Sequence, residues 1–104
     1  MRADTLKGHL DFLLLATVAC EPAHGYRIIE ELKRRSGGAF DPPEGTVYPA
    51  LHRLEESGLL ASSWASGSGR RRRVYRLTGR GRRGLAGRRR EWRGFTEAVE
   101  AVVA

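Results

Sequence analysis

Cysteine occurs once, at Cys20, so the chain has neither a disulfide framework nor a set of thiolates to hold zinc. No apolar run reaches the ~18 residues that a membrane-spanning helix needs. The longest, Phe12 to Cys20, follows Asp4 and Asp11 and lacks the cationic leader of a signal peptide. The expected location is therefore cytoplasmic, with no membrane partner. His9, His24 and His52 have no carboxylate or cysteine at ligand spacing. No serine or cysteine carries a nucleophile signature. No catalytic residue, metal or cofactor is expected, and the chain does not read as an enzyme.

The scarcity of acid near the C-terminal end is more telling. Residues 70–104 hold 12 basic and 3 acidic side chains, whereas residues 1–69 hold 7 basic and 9 acidic. The net charge of +7 is thus gathered in one segment, and such a one-sided field calls for a polyanionic partner. At 104 residues, 40% of them hydrophobic, the chain is long enough for one modest core with an appended helix.

Leu6, Leu10, Leu13, Leu14 and Val18 keep helical spacing, and Phe12 and Leu15 widen the stripe almost all round. This predicts a central helix over 6–20, ended by Glu21-Pro22, with Cys20 as a small buried hydrophobe. A second helix is expected over 24–36, with Ile28, Ile29 and Leu32 inward and His24 as a cap or packed side chain. Gly37-Gly38 ends it, and Phe40 is the expected anchor of the following loop. A third helix spans 44–57, with Val47, Leu51 and Leu54 inward. Pro49 lies about one turn into it, where its ring opposes the Gly45 carbonyl, so a tightened or kinked first turn is expected. Residues 59–66 and 71–77 alternate as strands around the turn signal Gly67-Ser68-Gly69-Arg70, with Tyr75 and Leu77 inward. Thr78 is a candidate N-cap for a helix over 78–104, whose stripe is Leu85, Trp92, Phe95, Val99 and Val102. Its glycines weaken it, so it needs a packing partner. A second copy of the chain is the expected partner.

The order helix, helix, helix, hairpin, helix is that of a winged helix-turn-helix followed by a dimerisation helix. The fold is mainly α with a β-hairpin, divided at 1–77 and 78–104. Helix three would be the reading head and the hairpin the wing. Arg70, Arg71, Arg72 and Arg73 stand at the wing tip, where the planar, permanently charged guanidinium suits phosphate. Thr46, Tyr48, Pro49, His52 and Arg53 lie off the apolar face of helix three, where base edges and phosphates of double-stranded DNA would be met. The plain alternatives are a solvated basic face and, for Tyr48, a partly buried core aromatic. Gly79-Arg80-Gly81-Arg82-Arg83-Gly84 matches GxGxxG, but no second parallel strand follows, which excludes a dinucleotide fold. The same Arg-Gly run supports the competing reading, a non-specific RNA-binding or architectural module.

Several strings are specific enough to compare with a family: Leu6-Lys7-Gly8, Pro22-Ala23-His24-Gly25-Tyr26, Gly45-Thr46-Val47-Tyr48-Pro49-Ala50-Leu51-His52-Arg53-Leu54-Glu55, Gly58-Leu59-Leu60 and Arg72-Arg73-Val74-Tyr75-Arg76-Leu77-Thr78. Through them the chain resembles the PadR family of bacterial transcriptional regulators, in its short branch with a single C-terminal helix. The resemblance implies a homodimeric repressor on a palindromic operator, released by a small effector. It also implies that the last helix packs on the partner's first helix, which brings Leu10, Leu13 and Leu14 to the interface. It places Trp92 as a candidate platform for an aromatic or anionic effector, beside Arg88 and Arg89. Val74 departs from a frequent Tyr-Tyr pair of the family, and Arg88, Arg89 and Arg90 make the last helix unusually basic.

Overall fold

The leucine pattern of the N-terminal segment produces its helix, which is shorter than expected. The computed structural model describes residues 6, 8–67 and 69–104. Helix α1 spans Leu10–Cys20, and a turn at Gly8 and His9, with the His9 N–H donating to the Leu6 carbonyl at 2.9 Å, precedes it. Lys7, residues 1–5 and Ser68 of the expected turn lie outside the described residues. Leu10, Leu14, Leu15, Thr17 and Val18 are buried, so α1 forms the centre of the protein. Cys20 is exposed rather than buried, because it ends α1 on the side facing Arg35.

Strand β1 is only Ala23–His24, and it runs directly into α2, Gly25–Arg35. Helix α2 buries Ile28, Ile29 and Leu32 and ends on three cations, which suit the negative end of its dipole. Gly37 and Gly38, both at positive φ, turn the chain away from α2. In the loop beyond, Pro42 is buried while Phe40 is half-buried and stands outside the core cluster, so the expected anchor is displaced by two residues. Helix α3, Glu44–Glu56, buries Val47, Ala50, Leu51 and Leu54. Its start is tightened: the Pro43 carbonyl accepts from both Thr46 and Val47 N–H, at 3.0 and 3.1 Å. Helix α3 then continues unbroken through Pro49, whose ring is exposed.

Strands β2, Leu60–Gly67, and β3, Arg70–Leu77, form the hairpin, and Gly69 at φ +75° supplies the left-handed residue of its turn. The sheet order is β1-β3-β2, all antiparallel. Leu60, Leu77 and Tyr75 close the core, and Tyr75 is only 1% exposed. Helix α4, Gly79–Val103, is capped by Thr78, whose hydroxyl oxygen accepts from the Gly81 N–H at 2.9 Å. Its first turns belong to the winged domain. The Thr78 hydroxyl also donates to the Gly58 carbonyl at 2.6 Å, and a Cβ on Gly81 would collide with the Leu59 carbonyl. Leu85 is buried; beyond it α4 runs outward, and the molecule measures 53 × 29 × 20 Å.

Candidate nucleic-acid interface

Helices α2 and α3 pack on one another across the loop at 36–43, as a helix-turn-helix does, and β2 and β3 project beside α3. The exposed side chains of α3 divide among three hollows. Tyr48 lines a groove of about 580 Å³ with His24, Gly25, Tyr26, Glu44 and the four wing arginines. His52 faces the wing with Glu55, Glu56, Trp64 and Arg73, around about 510 Å³. Thr46, Pro49 and Arg53 line a third hollow of about 440 Å³ beside Leu6, Leu10 and Pro42. The nine side chains expected on DNA are therefore spread over α3 and the wing, among three hollows rather than in one pocket. Tyr48 is half-buried, and its ring needs Gly25: a Cβ there would lie 2.7 Å from the ring Cζ. Arg53 is held toward α1 by Asp11 at 3.7 Å.

The wing arginines are individually placed. Antiparallel register puts Arg73 opposite Trp64 and Arg71 opposite Ser66, on the face that carries Tyr75. The Arg71 guanidinium lies 4.7 Å from the centre of the Trp64 ring and that of Arg73 lies 5.3 Å away, within cation–π range. Arg73 Nε donates to Ser62 Oγ at 2.7 Å, Ser62 Oγ donates to Glu55 Oε2 at 2.6 Å, and Arg73 Nη2 reaches the same carboxylate at 3.5 Å. These contacts hold the Glu55 carboxyl below the usual carboxylate range, first through Ser62 and then through Arg73. Arg72 points from the other face toward His24. Sequence reading missed Glu55, Ser62 and Trp64 as partners of the wing; the symmetry of the hairpin about its turn was the signal that could have paired Trp64 with Arg73.

The interface residues expected on α4 divide as well. Trp92, Phe95, Val99 and Val102 are 43%, 61%, 40% and 83% exposed, an uncovered apolar stripe. Leu85, by contrast, is covered by its own chain, and so are Leu10 and Leu14. Those three are corrected to core residues, because the winged domain itself closes over the base of α4 and the inner side of α1. Leu13 remains half-buried. Trp92 joins an aromatic cluster that the sequence pattern had not assembled, with His9 at 5.4 Å, Phe12 at 6.4 Å and Phe95 at 6.0 Å between ring centres. Arg88 covers the Phe12 ring at 5.3 Å, so of the two arginines expected beside an effector it is already engaged. The Arg-Gly run at 79–84 lies in the first turns of α4 with Gly81 buried, which removes the flexible segment that the RNA-binding reading required. Among the described residues no helix is long and apolar enough to cross a membrane, and no group of three or more His, Cys, Asp or Glu could hold a metal ion.

Residues 14–87 match the model of the transcriptional regulator PadR-like family. The chain belongs to that family. It is 46% identical over 77 residues to Transcriptional regulator Rv3488 of Mycobacterium tuberculosis, a match covering 74% of this chain and 69% of that protein. A PadR family transcriptional regulator from Eggerthella lenta superposes with a TM-score of 0.84 at 32% identity, over 96% of this chain and 86% of that one. A transcriptional regulator from Clostridium thermocellum shares the fold at a TM-score of 0.88 and 24% identity, covering 98% and 100% of the two chains. The protein is thus a winged-helix, DNA-binding transcriptional regulator of the PadR-like family, and not an enzyme.

Proposed function

We propose that the protein is a homodimeric repressor that reads a palindromic operator with α3 and clamps its backbone with the wing. The observation that carries this is the groove that Tyr48 of α3 shares with the four wing arginines. Thr46, Pro49 and His52 are suited to base edges, while Tyr48, Arg53 and Arg70 to Arg73 are suited to phosphates and the adjoining groove. In this reading residues 1–77 are the reading unit, and the part of residues 78–104 beyond Leu85 is the dimer arm. Leu13, Trp92, Phe95, Val99 and Val102 then meet their counterparts across a twofold axis, since an apolar stripe of this kind is costly to leave in water.

Two reading heads on a twofold axis contact half-sites about 34–36 Å apart. Footprinting on the DNA upstream of the protein's own gene tests the reading: a protected palindrome with that spacing is expected. Equal affinity for random DNA and for RNA would overturn it. For the effector, Trp92 with His9, Phe12 and Phe95 offers a stacking surface, and Arg89, which no ion pair holds among the described residues, offers a charge for a flat anionic ligand. In a Trp64→Phe background, planar aromatic acids are expected to quench Trp92 and lower operator affinity together. A screen in which no compound does both removes the effector from this site.

A further inference from the structure

His24 stands outside the DNA-facing set named from the sequence. It ends β1 and caps α2: its Nδ1 accepts the Arg27 backbone N–H at 3.2 Å, and its Nε2 lies 2.7 Å from Arg72 Nη1. A neutral imidazole has one N–H and one lone pair, and a guanidinium has no acceptor. The single lone pair can serve the Arg27 N–H or Arg72 but not both; while Nδ1 holds the cap, the proton sits on Nε2. Two donors then face one another with no acceptor between them. Protonation offers no relief, because it would remove the cap and set cation against cation. Burial first, and Arg72 second, lower the His24 pKa below its ordinary value, so the neutral ring prevails at neutral pH. The juxtaposition is built in by register. His24 pairs with Val74, and Arg72 lies two residues along β3 on the same face. The groove around them is lined by Tyr26, Tyr48, Arg70, Arg71 and Arg73, with Glu44 the single carboxylate among the described lining residues.

We propose that the His24 Nε2–H and the Arg72 guanidinium together grip one phosphate diester of the DNA backbone. This rests on the DNA-binding reading above. An anionic oxygen entering the groove gives both groups the acceptor they lack. A neutral histidine is well suited to the position, because it donates to the phosphate without adding to the repulsion among the arginines. The negative charge of the phosphate also offsets that of Arg72, so His24 takes up a proton more readily in the complex than in the free protein. In the free protein Glu30 acts in the same direction and Arg27 against it.

The test is the His24→Asn variant of the full chain, compared with Arg71→Ala. Asparagine is a strong N-cap, so α2 keeps its cap, but the shorter side chain lacks the ring Nε2 donor. Affinity is expected to fall about tenfold for operator and random duplex alike, since one charge-assisted contact to a phosphate carries no sequence information, while the melting temperature stays unchanged. Independently of that variant, the His24 ring signal of the wild-type protein, followed by NMR, should titrate at higher pH with duplex than without. Full affinity in His24→Asn alongside a loss in Arg71→Ala would overturn the phosphate grip and leave the DNA-binding reading standing. No loss in either variant would count against both. A shift of the His24 titration produced by inorganic phosphate and not by duplex would make this a free-anion site and overturn the assignment to DNA.

Discussion

The chain carries two arginine runs, Arg70 to Arg73 on the wing and Arg88 to Arg90 on α4, and by count they are nearly alike. Their surroundings are not. On the wing, Arg71 stacks on Trp64, Arg73 is bonded to Ser62 and Glu55, and Arg72 meets His24. On α4, Arg88 covers Phe12, and among the described residues no hydrogen bond or ion pair holds Arg89 or Arg90. A flexible guanidinium loses side-chain entropy when a ligand immobilises it. On the wing much of that cost is already met by folding. Charge composition alone marks both runs as sites for a polyanion; the local bonding marks only one of them as preorganised.

The largest effect expected is on assembly, and it breaks the comparison at its root, because the α4 run sits beside the apolar stripe. Phe95→Glu with Val99→Glu places charge on two exposed positions, so the winged domain should fold unchanged. Sedimentation should then report a monomer, and operator affinity should fall by at least about a hundredfold, since the second half-site is no longer tethered to the first. A dimer that survives both charges would show that the stripe is not the interface. Next in size, Arg71→Ala with Arg72→Ala should lower affinity for all duplexes and reduce the slope of log K against log salt by about 1.8 per protomer. Arg89→Ala with Arg90→Ala should leave that slope nearly unchanged. Equal losses from the two pairs would erase the distinction between the runs.

The helices could be read from leucine spacing because α2 and α3 each bury one narrow face. Helix α1 is apolar almost all round, so its pattern marked Leu10 and Leu14 as inward without showing whether their own core or a partner covers them, and it gave no hint that Cys20 faces solvent. Strand β1, at two residues, is too short to show alternation, and its second residue, His24, falls in the expected start of α2. The candidate residues of the interface were legible in the run of Arg70 to Arg73 and in the polar face of α3. Its wiring was not, because Glu55 and Arg73 are distant in sequence and meet only once the hairpin has folded back on α3. The stripe on α4 was legible as a stripe. That Leu85 differs from Phe95 in being covered depends on Gly81 letting the base of the helix press against Leu59.

The smallest effect expected is also the one that best separates wiring from charge. Glu55 is an acid beside the basic surface proposed to meet DNA, so electrostatics alone predicts tighter DNA binding when its charge is removed. Its position predicts the reverse. Through Ser62 and Arg73 the Glu55 carboxylate fixes the wing against α3 and, by way of the shared Trp64 ring, sets where Arg71 lies. Glu55→Gln should therefore weaken DNA binding by roughly threefold to tenfold, the range of one hydrogen bond. Stability supplies a second reading. The Glu55 pKa is lower folded than unfolded, so its contribution is present above the unfolded value, ~4.3, and is lost as pH falls through the folded value. The wild-type protein should melt above Glu55→Gln at neutral pH, and the gap should close once pH drops below the carboxylate range. A Glu55→Gln protein that binds DNA more tightly, or whose melting gap does not change with pH, would show that the wing arginines act by charge alone and that the bonds holding them to α3 are incidental.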